Sequence, residues 1–139
     1  MTTWLPDASV LLAWEDRADD HHEDAKRLLE GDAQLVTLDL AWYEVTNVAI
    51  AAWRDDDAAR RVQRVVSALD DAGGLVRCDR SLIADAGELA AVHRMSAYDA
   101  AYAATAHRLG AHLVSCDLRD LVRRGFGVSP SQALEMGAA

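Results

Sequence analysis

The sequence predicts an α/β protein, a three-layer α/β/α sandwich around a central parallel sheet of four or five strands. Three observations carry this expectation. Short apolar runs recur along the chain, they show little alternation, and amphipathic stretches separate them. That is the pattern of strands buried on both faces in successive βα units. With 139 residues, the chain is expected to form one domain over residues 1–139. Apolar residues make up 51% and charged residues 27%, which points away from disordered and membrane-embedded classes.

The first run, Thr3-Trp4-Leu5-Pro6-Asp7, leads directly into a helix over residues 8–14. A second, amphipathic helix is expected over 20–30. Leu35-Val36-Thr37-Leu38-Asp39, Leu75-Val76-Arg77-Cys78-Asp79 and Leu113-Val114-Ser115-Cys116-Asp117 share the pattern L-V-x-x-D and read as further strands. Residues 40–53 form a helix apolar nearly all round, which predicts burial on every side. Residues 55–71 place Val62, Val65, Val66 and Leu69 on one face and Arg60, Arg61 and Arg64 outward. A helix over 81–94 follows the third strand. The next, 96–109, opens on Ser96-Ala97-Tyr98-Asp99, a capping-box pattern, and stops at Gly110. After the fourth strand come a short helix at 118–124 and a short edge strand at 126–128. Residues 132–139 carry no clear signal.

The net charge of −9 comes from 23 acidic and 14 basic residues, and Lys26 is the only lysine. This excludes a generic basic nucleic-acid binder, whose first mark is a high pI, and any mechanism that needs a lysine other than Lys26. The N-terminus has neither the basic region nor the apolar core of a secretory signal. No apolar stretch nears the ~18 residues of a membrane span, so a cytoplasmic protein is expected. Cys78 and Cys116 each lie in an apolar run and are expected as two buried thiols, not a disulfide. His21 and His22 read as surface residues, and Trp14, Trp42 and Trp53 as core or partner contacts.

Asp7, Asp39, Asp79 and Asp117 stand at the ends of the four strands. Open α/β sheets bind ligands there, but an Asp in that place also caps the following helix, and position alone does not rank the four. Glu44 is the only charge in its apolar helix, with Leu40, Ala41, Asn47 and Val48 three and four residues away. A buried carboxylate without a local cation needs a distant Arg, a metal or a water-filled cleft. Asp99 either closes the capping box with Ser96 or projects to the same rim as Asp7 and Asp117.

Taken in order, Asp7 with Ser9, Glu44 with Asn47, Ser96-Ala97-Tyr98-Asp99-Ala100-Ala101-Tyr102, and Ser115-Cys116-Asp117 resemble the PIN-domain ribonucleases. Within them the likeness is to VapC-type toxins of toxin–antitoxin pairs, and it spans about residues 4–126. The resemblance implies a strand order 3-2-1-4-5, with the first and fourth strands side by side. It implies that Asp7, Glu44, Asp99 and Asp117 are at once the catalytic and the metal-holding residues. Ser9, Asn47 and Ser115 would support them. Arg119, Arg123 and Arg124 cluster after Asp117 and are either solvated surface charge or contacts to RNA phosphates. Asp120 is either a fifth member or surface charge. The implied activity is that of a type II toxin, a Mg²⁺-dependent endoribonuclease with Mn²⁺ as substitute, hydrolysing RNA phosphodiester bonds with water activated by the metal. The implied partners are the RNA substrate, an antitoxin with a basic inhibitory segment, and a second copy in a homodimer. The competing expectation is a non-catalytic PIN-like module that binds RNA or protein. A dinucleotide site is not expected, because Asp7-Ala8-Ser9-Val10 lacks the Gly-rich turn.

Overall fold

In the computed structural model, which describes residues 1–138, β1 (Thr3–Pro6) lies at the centre of the sheet. It runs parallel to β2 (Gln34–Leu35) on one side and to β5 (His112–Val114) on the other. β3 (Thr37–Leu38) and β4 (Leu75–Val76) form a second parallel pair. β2 and β3 are one extended stretch broken at Val36. The Val36 N–H donates to the Trp4 carbonyl at 3.0 Å, and the Thr37 N–H turns to the Gly74 carbonyl at 2.8 Å. The expected single sheet is therefore two pieces, of three strands and two, hinged on this segment. With the segment counted as one strand, the order 3-2-1-4 stands as expected. Val128 takes the fifth place through a single parallel bridge to Val114. The edge strand expected at 126–128 shrinks to that bridge because the chain turns at Ser129 into a capped helix.

Parallel strands need crossovers, and helices supply them. They are α1 (Ala8–Glu15), α2 (His22–Glu30), α3 (Leu40–Asn47), α4 (Asp56–Asp71), α5 (Arg80–His93), α6 (Ala97–Leu109) and α7 (Pro130–Ala133). Alternation along the strands sends Leu5, Leu38 and Leu113 to one face, where they pack with Leu82 and Ala86 of α5 and Ala100 and Tyr102 of α6. Trp4 and Val114 point the other way, onto Val10 and Ala13 of α1 and Ala25 and Leu28 of α2. Leu11 carries α1 into a third cluster with α3 and α4. The result is the three-layer sandwich the sequence predicts.

The helix expected over 40–53 is not buried all round. Only Ala41, Val45 and Ala49 are buried, a stripe at four-residue spacing packed toward α4, while Tyr43 and Ile50 are 78% and 45% exposed. Beyond Asn47 it widens into the π-type turns of Val48–Ala52. The short helix after Asp117 is likewise π-type, over Leu118–Val122. The tail is helical: Ser129 and Gln132 close a capping box, and turns continue through Leu134–Ala138. Cys78 is exposed, not buried, because it lies beyond the two paired residues of β4; Cys116 is half-buried, and both thiols are free. His22 is not a plain surface residue either, since its Nδ1 sits 2.8 Å from the Ala13 carbonyl oxygen. Among the described residues no helix is long and apolar enough to cross a membrane.

Gly74 shows how tightly β4 enters the sheet. A Cβ there would stand 2.5 Å from the Leu35 carbonyl oxygen and 3.3 Å from that of Leu69. Both obstacles are backbone. Gly74→Ala is therefore expected to cost about 2 kcal/mol or more, read as a lowered midpoint in thermal unfolding followed by circular dichroism.

Candidate active site

Asp7 follows the last residue of β1 and caps α1. Its N–H donates to the Val114 carbonyl at 3.0 Å, which ties it to β5. Its Oδ1 accepts from the Ser9 N–H at 3.0 Å and from the Ser9 hydroxyl. The side chain is buried, and burial pushes the carboxyl up to about 6. The hydroxyls of Ser115 and Ser9 and the Val10 N–H oppose that rise, and the charge of Glu44 adds to it.

Ser9 also reaches across to the end of β5. Its Oγ accepts from the Cys116 N–H at 2.9 Å and lies 3.4 Å from the Ser115 Oγ. The Ser115 Oγ in turn accepts from the Asp117 N–H at 3.0 Å. Asp117 caps its own turn, with Oδ1 accepting from the Asp120 N–H at 2.9 Å. A continuous polar seam, Asp7–Ser9–Ser115–Asp117, thus joins the carboxyl ends of the two adjacent strands.

Glu44 comes from α3 and Asp99 from the first turn of α6. Glu44 Oε1 is buried without a hydrogen-bond partner. Burial, and then the charge of Asp99, hold its carboxyl above the usual range, while the Tyr102 hydroxyl opposes the shift. Asp99 is raised first by burial and then by the charges of Asp117 and Asp120; the Ser96 hydroxyl opposes it. Ser96 accepts from the Asp99 N–H at 3.0 Å, so that part of the expected capping interaction forms. Each of the four carboxyls acts on another, Asp7 with Glu44, Glu44 with Asp99, Asp99 with Asp117. Among the described residues none of the four is in an ion pair within 4.0 Å.

The other two strand-end acids are spent locally. Asp39 Oδ2 accepts from the Cys78 N–H at 3.2 Å and links β3 to β4. Asp79 caps α5 through the Leu82 N–H at 2.8 Å and lies 3.7 Å from the Arg108 guanidinium. Asn47 is exposed. Arg119 bonds Asp120 at 3.2 Å, Arg123 is exposed, and Arg124 is held on the His93 carbonyl and over the Phe126 ring. The charge of Asp120 acts on Asp99 as well as pairing with Arg119. Tyr102 is the residue to which sequence reasoning assigned no role; its signal was its place three residues after Asp99, on the same helical face.

The donor set suits a hard dication: carboxylate oxygens, mutually repelling, with one buried oxygen unpartnered. As the side chains lie, no three of His, Cys, Asp or Glu among the described residues converge closely enough to hold a metal ion. The ring is open, not closed. A groove of about 690 Å³ elsewhere, lined by Trp14, His22, Lys26 and Trp53, contains none of the four acids.

Residues 4–126 match the family model described as PIN domain. No curated protein matches the chain in sequence. Among solved structures, PAE2754 from Pyrobaculum aerophilum is 23% identical, with a TM-score of 0.73 over 97% of this chain and 88% of that one. VapC20 of Mycobacterium tuberculosis, a toxin that cleaves the sarcin-ricin loop, is 18% identical, with a TM-score of 0.69 over 88% and 95%. DNA-bound VapBC from Salmonella typhimurium is 16% identical, with a TM-score of 0.64 over 93% and 97%.

Proposed function

The chain belongs to the PIN domain family, and from that membership we propose that it is a Mg²⁺-dependent endoribonuclease, the VapC-type toxin of a type II toxin–antitoxin pair. The observation that carries the reading is the set of four carboxyls, Asp7, Glu44, Asp99 and Asp117, arriving from four elements with no cation paired to them among the described residues. The likeness to VapC20 and to VapBC favours the toxin half of such a pair.

Physical chemistry assigns the roles. A phosphodiester brings negative charge toward a ring of carboxyls on a chain of net charge −9, so the pair repel unless a dication stands between them. Asp7, Glu44, Asp99 and Asp117 would hold Mg²⁺, or Mn²⁺ in its place. When bound, the ion supplies charge relief at the phosphoryl oxygens and a more acidic water. Ser9 holds Asp7 by donating to Oδ1, and Ser115 holds the Asp117 backbone, so the two strand ends keep their spacing. Tyr43 and Tyr98 are 78% and 62% exposed, each one residue before an acid of the ring. Their faces suit unstacked bases of an RNA loop, which an acidic protein binds by stacking more than by phosphate contact. An antitoxin with a basic segment would neutralise the same ring, and homodimerisation and a cytoplasmic site of action belong to this reading.

The test is incubation of the purified protein with structured RNA in Mg²⁺ or EDTA, with 5′ ends mapped by sequencing. Discrete ends that vanish in EDTA and in Asp7→Ala are expected; ends that persist in both sink the proposal. Tyr43→Ala with Tyr98→Ala is expected to weaken RNA binding about tenfold or more, at ~1–3 kcal/mol per stacked base, with Mn²⁺ binding unchanged.

A further inference from the structure

Tyr102 is the largest of the fully buried side chains, at 2% exposure. Among the described residues its hydroxyl and Glu44 Oε1 are the buried side-chain polar atoms left without a hydrogen-bond partner. Such atoms are rare in folded proteins and call for a reason. The two bear on each other: the Tyr102 hydroxyl faces the Glu44 carboxyl, and the Ala8 N–H, the first donor of α1, faces the Tyr102 oxygen. As they stand, neither contact of the hydroxyl meets hydrogen-bond geometry. Tyr102 reaches this point from α6, one helical turn after Asp99. One side chain therefore stands where the start of α1 behind Asp7, Glu44 of α3 and the Asp99 helix meet.

We propose that Tyr102 is a positioning residue, whose hydroxyl donates to Glu44 Oε1 when a divalent cation occupies the ring and so leaves the second carboxyl oxygen, Oε2, for the cation. The inference rests on the reading that the ring holds such a cation. In the open ring the bond is unmade. Once the carboxyls are neutralised together, a phenol of fixed rotamer in a packed core selects one orientation of Glu44. The hydroxyl touches no substrate in this scheme; it acts only through Glu44.

The deciding measurement is Mn²⁺ affinity of the purified full chain, read from the electron paramagnetic resonance of free ion at fixed pH. Wild type, Tyr102→Phe, Glu44→Gln and the double variant are compared. Tyr102→Phe is expected to bind Mn²⁺ about tenfold or more weakly, the size of one hydrogen bond to a charged group. In the Glu44→Gln background it should add no further loss. In EDTA, Tyr102→Phe should melt at or above the wild-type temperature, since it removes an unpaired buried hydroxyl. Wild-type Mn²⁺ affinity in Tyr102→Phe overturns the proposal and leaves the metal reading intact. A wild-type protein that binds no Mn²⁺ overturns both. Should Tyr102→Phe fail to fold, wild-type protein labelled at tyrosine Cζ decides by NMR. Of Tyr43, Tyr98 and Tyr102, the buried one must shift with Mg²⁺, and an unmoved Tyr102 signal refutes the idea.

Discussion

Asp7→Asn is expected to lower RNA cleavage by roughly 10³-fold or more and, in the same molecule, to stabilise the metal-free protein at neutral pH. The loss follows from removing a charge that the proposed dication requires, worth several kcal/mol at the transition state. The gain follows from burial. Asn keeps the acceptor that Asp7 offers to the Ser9 N–H and hydroxyl, but carries no charge to desolvate. The folded Asp7 carboxyl titrates at about 6, against an ordinary 3.8, so the folded chain holds this proton more tightly than the unfolded one. The stability this group contributes is full below about pH 3.8 and lost as pH rises through 6. At roughly 1.4 kcal/mol per tenfold change, the ionised carboxylate costs about 3 kcal/mol above that range. Melting curves in EDTA should show Asp7→Asn and wild type close together near pH 4 and separating as pH rises to 7, the variant higher. An Asp7→Asn protein that melts below wild type at pH 7 would show that Asp7 serves the fold and not the site.

The sequence made the strands legible because each is a short apolar run ending in Asp. It could not show that the second run serves two neighbours in turn, since the switch at Val36 depends on where Gly74 lies across the sheet. The same limit governs the acids. Asp39 and Asp79 carry the same local signature as Asp7 and Asp117, and all four accept from a backbone N–H, at Cys78, Leu82, Ser9 and Asp120 in turn. Only strand order separates the two classes. Glu44 was legible from its isolation in an apolar helix, although that helix proved apolar on an exposed face too. Tyr102 was not, because a tyrosine among alanines in a buried helix reads as packing, and that its hydroxyl bears on Glu44 is a tertiary fact. The capping box at Ser129 and Gln132 was a local signal within reach, overlooked in a tail without hydrophobic periodicity.

Mg²⁺ at a hundredfold excess over its dissociation constant is expected to stabilise the protein by about 2.7 kcal/mol, a rise of roughly 8–12 °C in the melting temperature for a chain of this size. Charge alone makes a control essential. A protein of net charge −9 gains from any salt that screens its self-repulsion, so the comparison is with NaCl at matched ionic strength. Specific binding differs from screening in two ways. It should weaken between pH 7.5 and 5, because Asp7, Glu44 and Asp99 are all shifted upward and take protons in competition with the ion. It should also depend on which acid is removed. Glu44→Gln and Asp99→Asn should erase most of the Mg²⁺ response, whereas Asp79→Asn, whose amide oxygen still accepts from the Leu82 N–H and which gives up only the charge facing Arg108, should keep the full increment. Equal increments from Mg²⁺ and matched NaCl, or an undiminished response in Glu44→Gln, would mean that the four carboxyls share a rim without sharing an ion. The chain would then be a PIN fold that binds rather than cuts.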